Sequence, residues 1–209
     1  MVAEIAGWSA PARSWFESFV LRLDKRLRDW ERIHDYTHHP DCIFRIHVGR
    51  LRQDIVTADG IVAHAGDALI HLHLRNQSMP KLGVRGPSIR WARQVRVALN
   101  LSLRELARYV AAHPELGDIC GIRGDIVLAM PQQSAHLAAI VRLLGFEVLP
   151  EPSRLSAGEC IRRAGENILA LLIVTATNPH ALHGGVLRRG RISMFMSRET
   201  LEKRYGCLR

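Results

Sequence analysis

The residues best suited to chemistry are histidines set two apart on strand-like segments. Ile43 to Val48 alternates: Phe44, Ile46 and Val48 fall on one side, Arg45 and His47 on the other. Ala68 to Leu74 does the same, with Ile70, Leu72 and Leu74 on one face and His71 and His73 on the other. If the two segments pair, Arg45, His47, His71 and His73 share a sheet face. Three imidazoles together could bind a divalent metal or an anion. The plain alternative is the solvated side of a half-buried sheet. The sequence fixes no carboxylate beside them, so no metal ligand is assigned. His34, His38 and His39 lack regular spacing.

Three further groups carry chemistry-bearing residues. Gly66-Asp67 precedes the second histidine strand and Asn76 follows it. Asp67 and Asn76 are turn and cap residues unless they converge with His73. Gly165-Glu166-Asn167 adjoins an apolar run, where a carboxylate is costly to bury without a partner. Glu166 could pair with Arg123, Arg162 or Arg191 and fix packing. Desolvated beside a cleft, it would instead become a general base. Lastly, Arg188, Arg189, Arg191, Ser197 and Arg198 form a basic tail whose guanidinium forks suit phosphate oxygens.

Composition excludes several classes. The chain has 209 residues, 47% of them hydrophobic and 23% charged, values of an ordinary globular protein. The net charge is +9, from 29 Lys+Arg against 20 Asp+Glu. Two blocks hold the excess. Residues 68–103 contain six basic side chains and no acid; residues 181–209 contain seven basic and two acidic ones. Such blocks attract anions. Specific nucleic-acid recognition is not expected, since no base-reading motif is present. The longest apolar stretch, Ile168 to Ala176, has nine residues against the roughly 20 a membrane span needs. No basic leader precedes an apolar core. The four cysteines form no CxxC pair, and the expected location is cytoplasmic. There is no GxSxG, GxGxxG or Walker sequence.

The positioning elements follow from periodicity. Trp15, Phe19, Leu23, Leu27 and Trp30 recur at helical steps, which puts them on one face of an amphipathic helix over residues 12 to 33 of an N-terminal segment 1–33. Residues 34–209 then read as one α+β domain with a small mixed or mainly antiparallel sheet packed against several helices. Ile43 to Leu74 reads as a meander of short strands with turns at Asp59-Gly60 and Ala65-Gly66-Asp67. Ser88 to Ala112 is helical, and the capping-box spacing of Ser102 and Glu105 predicts a break near Asn100. Asp118 to Ala129, interrupted by Gly121 and Gly124, reads as strand, turn, strand. Helix over Gln133 to Leu144 ends at Gly145, and strand follows over Phe146 to Leu149. Ser156 to Thr175 reads as a helix, Arg191 to Met196 as a strand and Arg198 to Tyr205 as a closing helix.

Taken together, Phe44-Arg45-Ile46, Val56 to Gly60, Gly66-Asp67, Leu72 to Asn76, Leu103 to Ala107, Leu144 to Val148, Gly165-Glu166-Asn167 and Ser197-Arg198 resemble the YkoP-like domain family, a bacterial group. The similarity runs from about Trp30 to the C-terminus. Family members joined to polysaccharide-deacetylase-like modules imply a tie to envelope glycans or glycolipids, although no deacetylase metal signature is present here. The resemblance points to Asp67, His73, Asn76, Glu166, Asn167 and Arg198 as one pocket. The resulting expectation is a binding or accessory module for an anionic envelope-related ligand, a glycolipid or sugar phosphate. Arg45, Asp67, His71, Asn76, Asn167, Arg191 and Arg198 would hold that ligand. The first rival is an enzyme acting on it with His73 or Glu166 as general base. The second is a peripheral membrane protein using the basic tail on anionic lipid. The sequence names no cofactor and sets no oligomeric state.

Overall fold

Alternating side chains build the sheet that organises this chain. The computed structural model describes residues 31–57, 60–75, 78–81, 88–127, 134–150 and 191–206, with positions 15, 18–20, 22, 25, 26, 29, 168 and 172. Strands β1 (Phe44–Arg50) and β4 (Ala68–Leu74) pair antiparallel. Between them in sequence, β2 (Ile55–Val56) and β3 (Val62–Ala63) form a separate two-stranded hairpin. The expected meander is therefore two sheets. β4 then pairs in parallel with β5 (Gly121–Val127). β5 and β6 (Glu147–Val148) each pair antiparallel with β7 (Arg191–Ser197), giving the order β1-β4-β5-β7-β6. The result is an α+β fold in a single domain with a mixed sheet.

One face of that sheet is oily. Phe44, Ile46, Ile70, Leu72, Ile122, Met194 and Met196 pack with residues of three helices: α1 (Ile89–Ala112), α2 (Ser134–Leu143) and α3 (Arg198–Tyr205). Leu103, Leu106, Val110, Val141, Leu201 and Tyr205 come from the helices. Among the described residues, the opposite face is apolar under the β2–β3 hairpin, where Leu69 and Phe195 meet Leu51, Ile55 and Ala63.

α1 runs without the expected break. Asn100 Nδ2 donates to the Arg96 carbonyl at 2.8 Å, and Ser102 Oγ donates to the Ala98 carbonyl at 2.7 Å. Both polar side chains thus bond back to the preceding turn and stay inside the helix. Ser102 Oγ also accepts the Ile43 N–H at 3.0 Å, and Tyr36 Oη donates to the Ser102 carbonyl at 2.8 Å. These bonds tie the segment entering β1 to α1. The actual N-cap is Ser88, whose side chain accepts from Trp91 N.

β5 is likewise one strand, not two. An added Cβ at Gly121 would lie 2.4 Å from the Met196 carbonyl oxygen and 2.6 Å from the Phe195 ring. At Gly124 it would lie 2.6 Å from Met194 Cε. The glycines make room for large side chains of β7 and do not turn the chain. At the N-terminal end every described position from 15 to 31 is helical. Val20 is fully buried, whereas Trp15 and Phe19 are exposed and stack on each other at 5.7 Å.

Gly121→Ala is expected to destabilise the protein by about 3 kcal/mol, because the clash is with backbone that cannot swing aside. Gly60→Ala, at a φ of +83° with nothing within 4 Å, should lose only about 1 kcal/mol. Urea-unfolding midpoints of the two variants test the ordering.

Candidate functional site

The β1–β4 register sets the polar face. Arg45 lies opposite His73, and His47 opposite His71. On the parallel side His71 lies opposite Arg123. The expected alignment of the two histidine strands is therefore present. The His47 and His71 rings stack with centroids 5.4 Å apart and planes at 19°, and His47 and His73 are 6.4 Å apart. Gly49 gives the rings their room. A Cβ there would sit 2.9 Å from His71 Cδ2 and 3.2 Å from His47 Cε1.

Burial governs the charge of these rings. Desolvation pushes the His71 pKa down from its ordinary 6.5 to about 4, helped by His47, Arg123 and His73 and opposed by Asp125. Desolvation also lowers His47, with His34 adding to the effect. His71 is thus a neutral imidazole at pH 7, one nitrogen donating and the other accepting.

The permanent positive charge comes from arginines. Arg45 is buried, and its Nε donates to Asp35 Oδ1 at 2.9 Å. Arg75 Nη1 lies 3.9 Å from the same oxygen, so one carboxylate is shared by two guanidiniums. Arg123 is half-buried and has no ion-pair partner among the described residues. Asp125, two residues along β5, accepts from Ser193 Oγ at 2.5 Å. Among the described residues no three His, Cys, Asp or Glu side chains are set to hold a metal ion.

Other expected site residues lie elsewhere. Asp67 accepts the His64 N–H at 2.8 Å, and its carbonyl takes the Leu51 N–H, which is turn work. It precedes β4, about 20 Å of extended chain from His73. Arg198 opens α3. Its N–H donates to the Cys120 carbonyl, its Nε to Glu202 Oε1 at 2.7 Å and its Nη1 to the Gly117 carbonyl. Those bonds fasten α3 to the loop before β5, away from the imidazoles. Arg191 begins β7 opposite Val127. Asn76, Glu166 and Asn167, together with Arg188 and Arg189, lie outside the described residues. Arg123 and Asp125 were hidden by the turn reading of Gly121 and Gly124. The alternation of Ile122, Gly124 and Ile126 against Arg123 and Asp125 is the signal that finds them.

Fold and site define a single-domain α+β protein with helices on one sheet face and a cation-rich, imidazole-bearing patch on the other. The sequence matches the family model of the YkoP domain over residues 13–205, nearly the whole chain, and the protein belongs to that family. No curated protein and no solved structure matches it.

The depressed His71 pKa has a thermodynamic consequence. Between about pH 4 and 6.5 the unfolded chain binds a proton at this residue that the folded chain refuses. Stability should therefore fall as pH drops through that window and be independent of His71 above it. The ceiling is about 3 kcal/mol, reduced by residual solvent access. In urea titrations from pH 7.5 to 4.5, His71→Gln should flatten this acid-side loss. An unchanged slope would show that the ring is not desolvated.

Proposed function

We propose that this chain is a binding or accessory module for an anionic ligand, seated against Arg123 and the His47–His71 pair. The observation that carries the reading is the surplus of guanidinium on the polar face. Arg45 and Arg75 share Asp35, while half-buried Arg123 has no acidic partner among the described residues. A partly desolvated cation gains most from a ligand anion that replaces its lost water. Neutral imidazoles beside it can donate to and accept from the hydroxyls of a sugar as readily as they contact phosphate oxygens. That combination suits a sugar phosphate or a glycolipid headgroup. The tie of YkoP-like domains to envelope modules favours the same class.

Calorimetric titration with glucose 6-phosphate and with inorganic phosphate tests this. Arg123→Gln should weaken binding about tenfold to a hundredfold, the worth of a charge-assisted bond. Arg123→Lys, which keeps the charge but loses the fork, should recover part of the loss. The sugar phosphate should bind more tightly than phosphate alone, and His71→Phe should erase that margin. Equal affinity of wild type and Arg123→Gln for both probes would refute the site.

A further inference from the structure

A different surface, on α1, points to a second kind of partner. Every buried residue of α1, namely Ala98, Ser102, Leu103, Leu106, Ala107 and Val110, lies in its last fifteen positions, as do Leu99 and Tyr109, which pack against the core. None of residues 89–97 is buried, only Trp91 and Val95 being half-buried, so they form a largely exposed stub about 13 Å long at 1.5 Å per residue. The stub is well made. Ser88 caps it, and Trp91 Nε1 donates to the Pro80 carbonyl at 2.9 Å, anchoring the inward side.

Its outward side combines two features. Arg90, Arg93 and Arg96 are exposed, as is Arg104 one face-repeat further on. From Ala68 to Arg104 the sequence contains no acid at all. Between these arginines, Ile89 is 91% exposed and Val97 59% exposed. At 100° per residue, Arg90, Arg93, Val97 and Arg104 fall within a stripe about 60° wide, with Ile89 about 40° and Arg96 about 60° beyond its edge.

We infer that this arginine stripe with its two projecting aliphatic side chains docks the domain on an anionic phospholipid bilayer. Charge complementarity selects the partner: about 1 kcal/mol, or roughly fivefold in affinity, comes from each arginine near an anionic leaflet. The aliphatic residues select bilayer over nucleic acid. A polyanion offers phosphates but no oily layer, whereas the headgroup–acyl boundary takes both kinds of side chain on one helix face. The surface is independent of Arg123 and of the anion site on the sheet.

Co-sedimentation with vesicles of phosphatidylcholine containing 30% phosphatidylserine, against phosphatidylcholine alone, reads the proposal out directly, in 100 mM and 500 mM NaCl, at roughly the Debye lengths that pass and screen such contacts. Wild type is expected to bind only the anionic vesicles and to release in high salt. The triple variant R90Q/R93Q/R96Q should lose roughly 100-fold in partition, while circular dichroism stays native because all three side chains are exposed. The pair I89S/V97S should weaken binding yet keep its salt dependence. Arg123→Gln should bind vesicles as wild type does, which separates this surface from the sheet site. No binding by wild type, equal binding by the triple variant, or tighter binding to duplex DNA than to the anionic vesicles at the same salt would each overturn the inference.

Discussion

Everything on the polar face depends on the register between β1 and β4. The seven-pair ladder from Phe44–Leu74 to Arg50–Ala68 is what sends Ile46, Ile70 and Leu72 into the helices and Arg45, His47, His71 and His73 to the other side. A slip of β1 by one residue would exchange its two faces. It would turn Arg45 and His47 toward the core under α1 and expose Phe44 and Ile46. The register is therefore held by the same burial energy that stabilises the fold. Its placement of the histidines comes with that burial, and no separate force is needed to align them. The bridge between His34 and Ile46, and the Ser102 bond to Ile43, hold the free side of β1 to the same alignment.

Within that frame the chemistry is set by unequal desolvation. A ring such as His71 responds to burial by giving up its proton, so the stacked pair can sit 5.4 Å apart without mutual repulsion. An arginine has no such escape. Arg45 answers with Asp35, which Arg75 also uses, and Arg123 answers with no acid among the described residues. The face thus separates into uncharged hydrogen-bonding groups and fixed cations. The neutral rings can donate and accept hydrogen bonds, while the guanidiniums can only donate them and carry the charge.

The parts of this arrangement that were legible in the sequence are those encoded locally. The alternation of Arg45, His47, His71 and His73 against aliphatic neighbours carries both strands and their shared face, and Ser197-Arg198 marks where β7 gives way to α3. The misreadings have causes distant in sequence. Gly121 and Gly124 look like turn residues until Phe195 and Met194 are seen lying over them, about seventy positions later in the chain. Ser102 looks like a cap until its hydroxyl is found between Ala98 and Ile43. Polar residues near strand ends have two uses, and the spacing of Asp67 and Arg198 does not show the hydrogen bonds that each makes to backbone. Trp15 and Phe19 fit one apolar stripe by spacing, yet periodicity says only that they share a face, not which face docks.

α1 extends the same reasoning to the whole molecule. This helix has 24 residues, and its buried positions are concentrated toward one end. Helix propagation alone does not justify the exposed turns, since tertiary packing rather than propensity holds most protein helices. The stub keeps its form through Ser88 and Trp91, which are devices for holding a helix start in place, not for burying it. An ordered, solvent-facing helix with arginines and bare aliphatic side chains is a surface maintained at a local energetic cost. On the sheet face the fixed positive charge stands among half-buried imidazoles, the setting of the proposed small-anion site; on α1 it is spread along an exposed stripe, the setting of the proposed bilayer contact, which an extended anionic surface can meet at several points together.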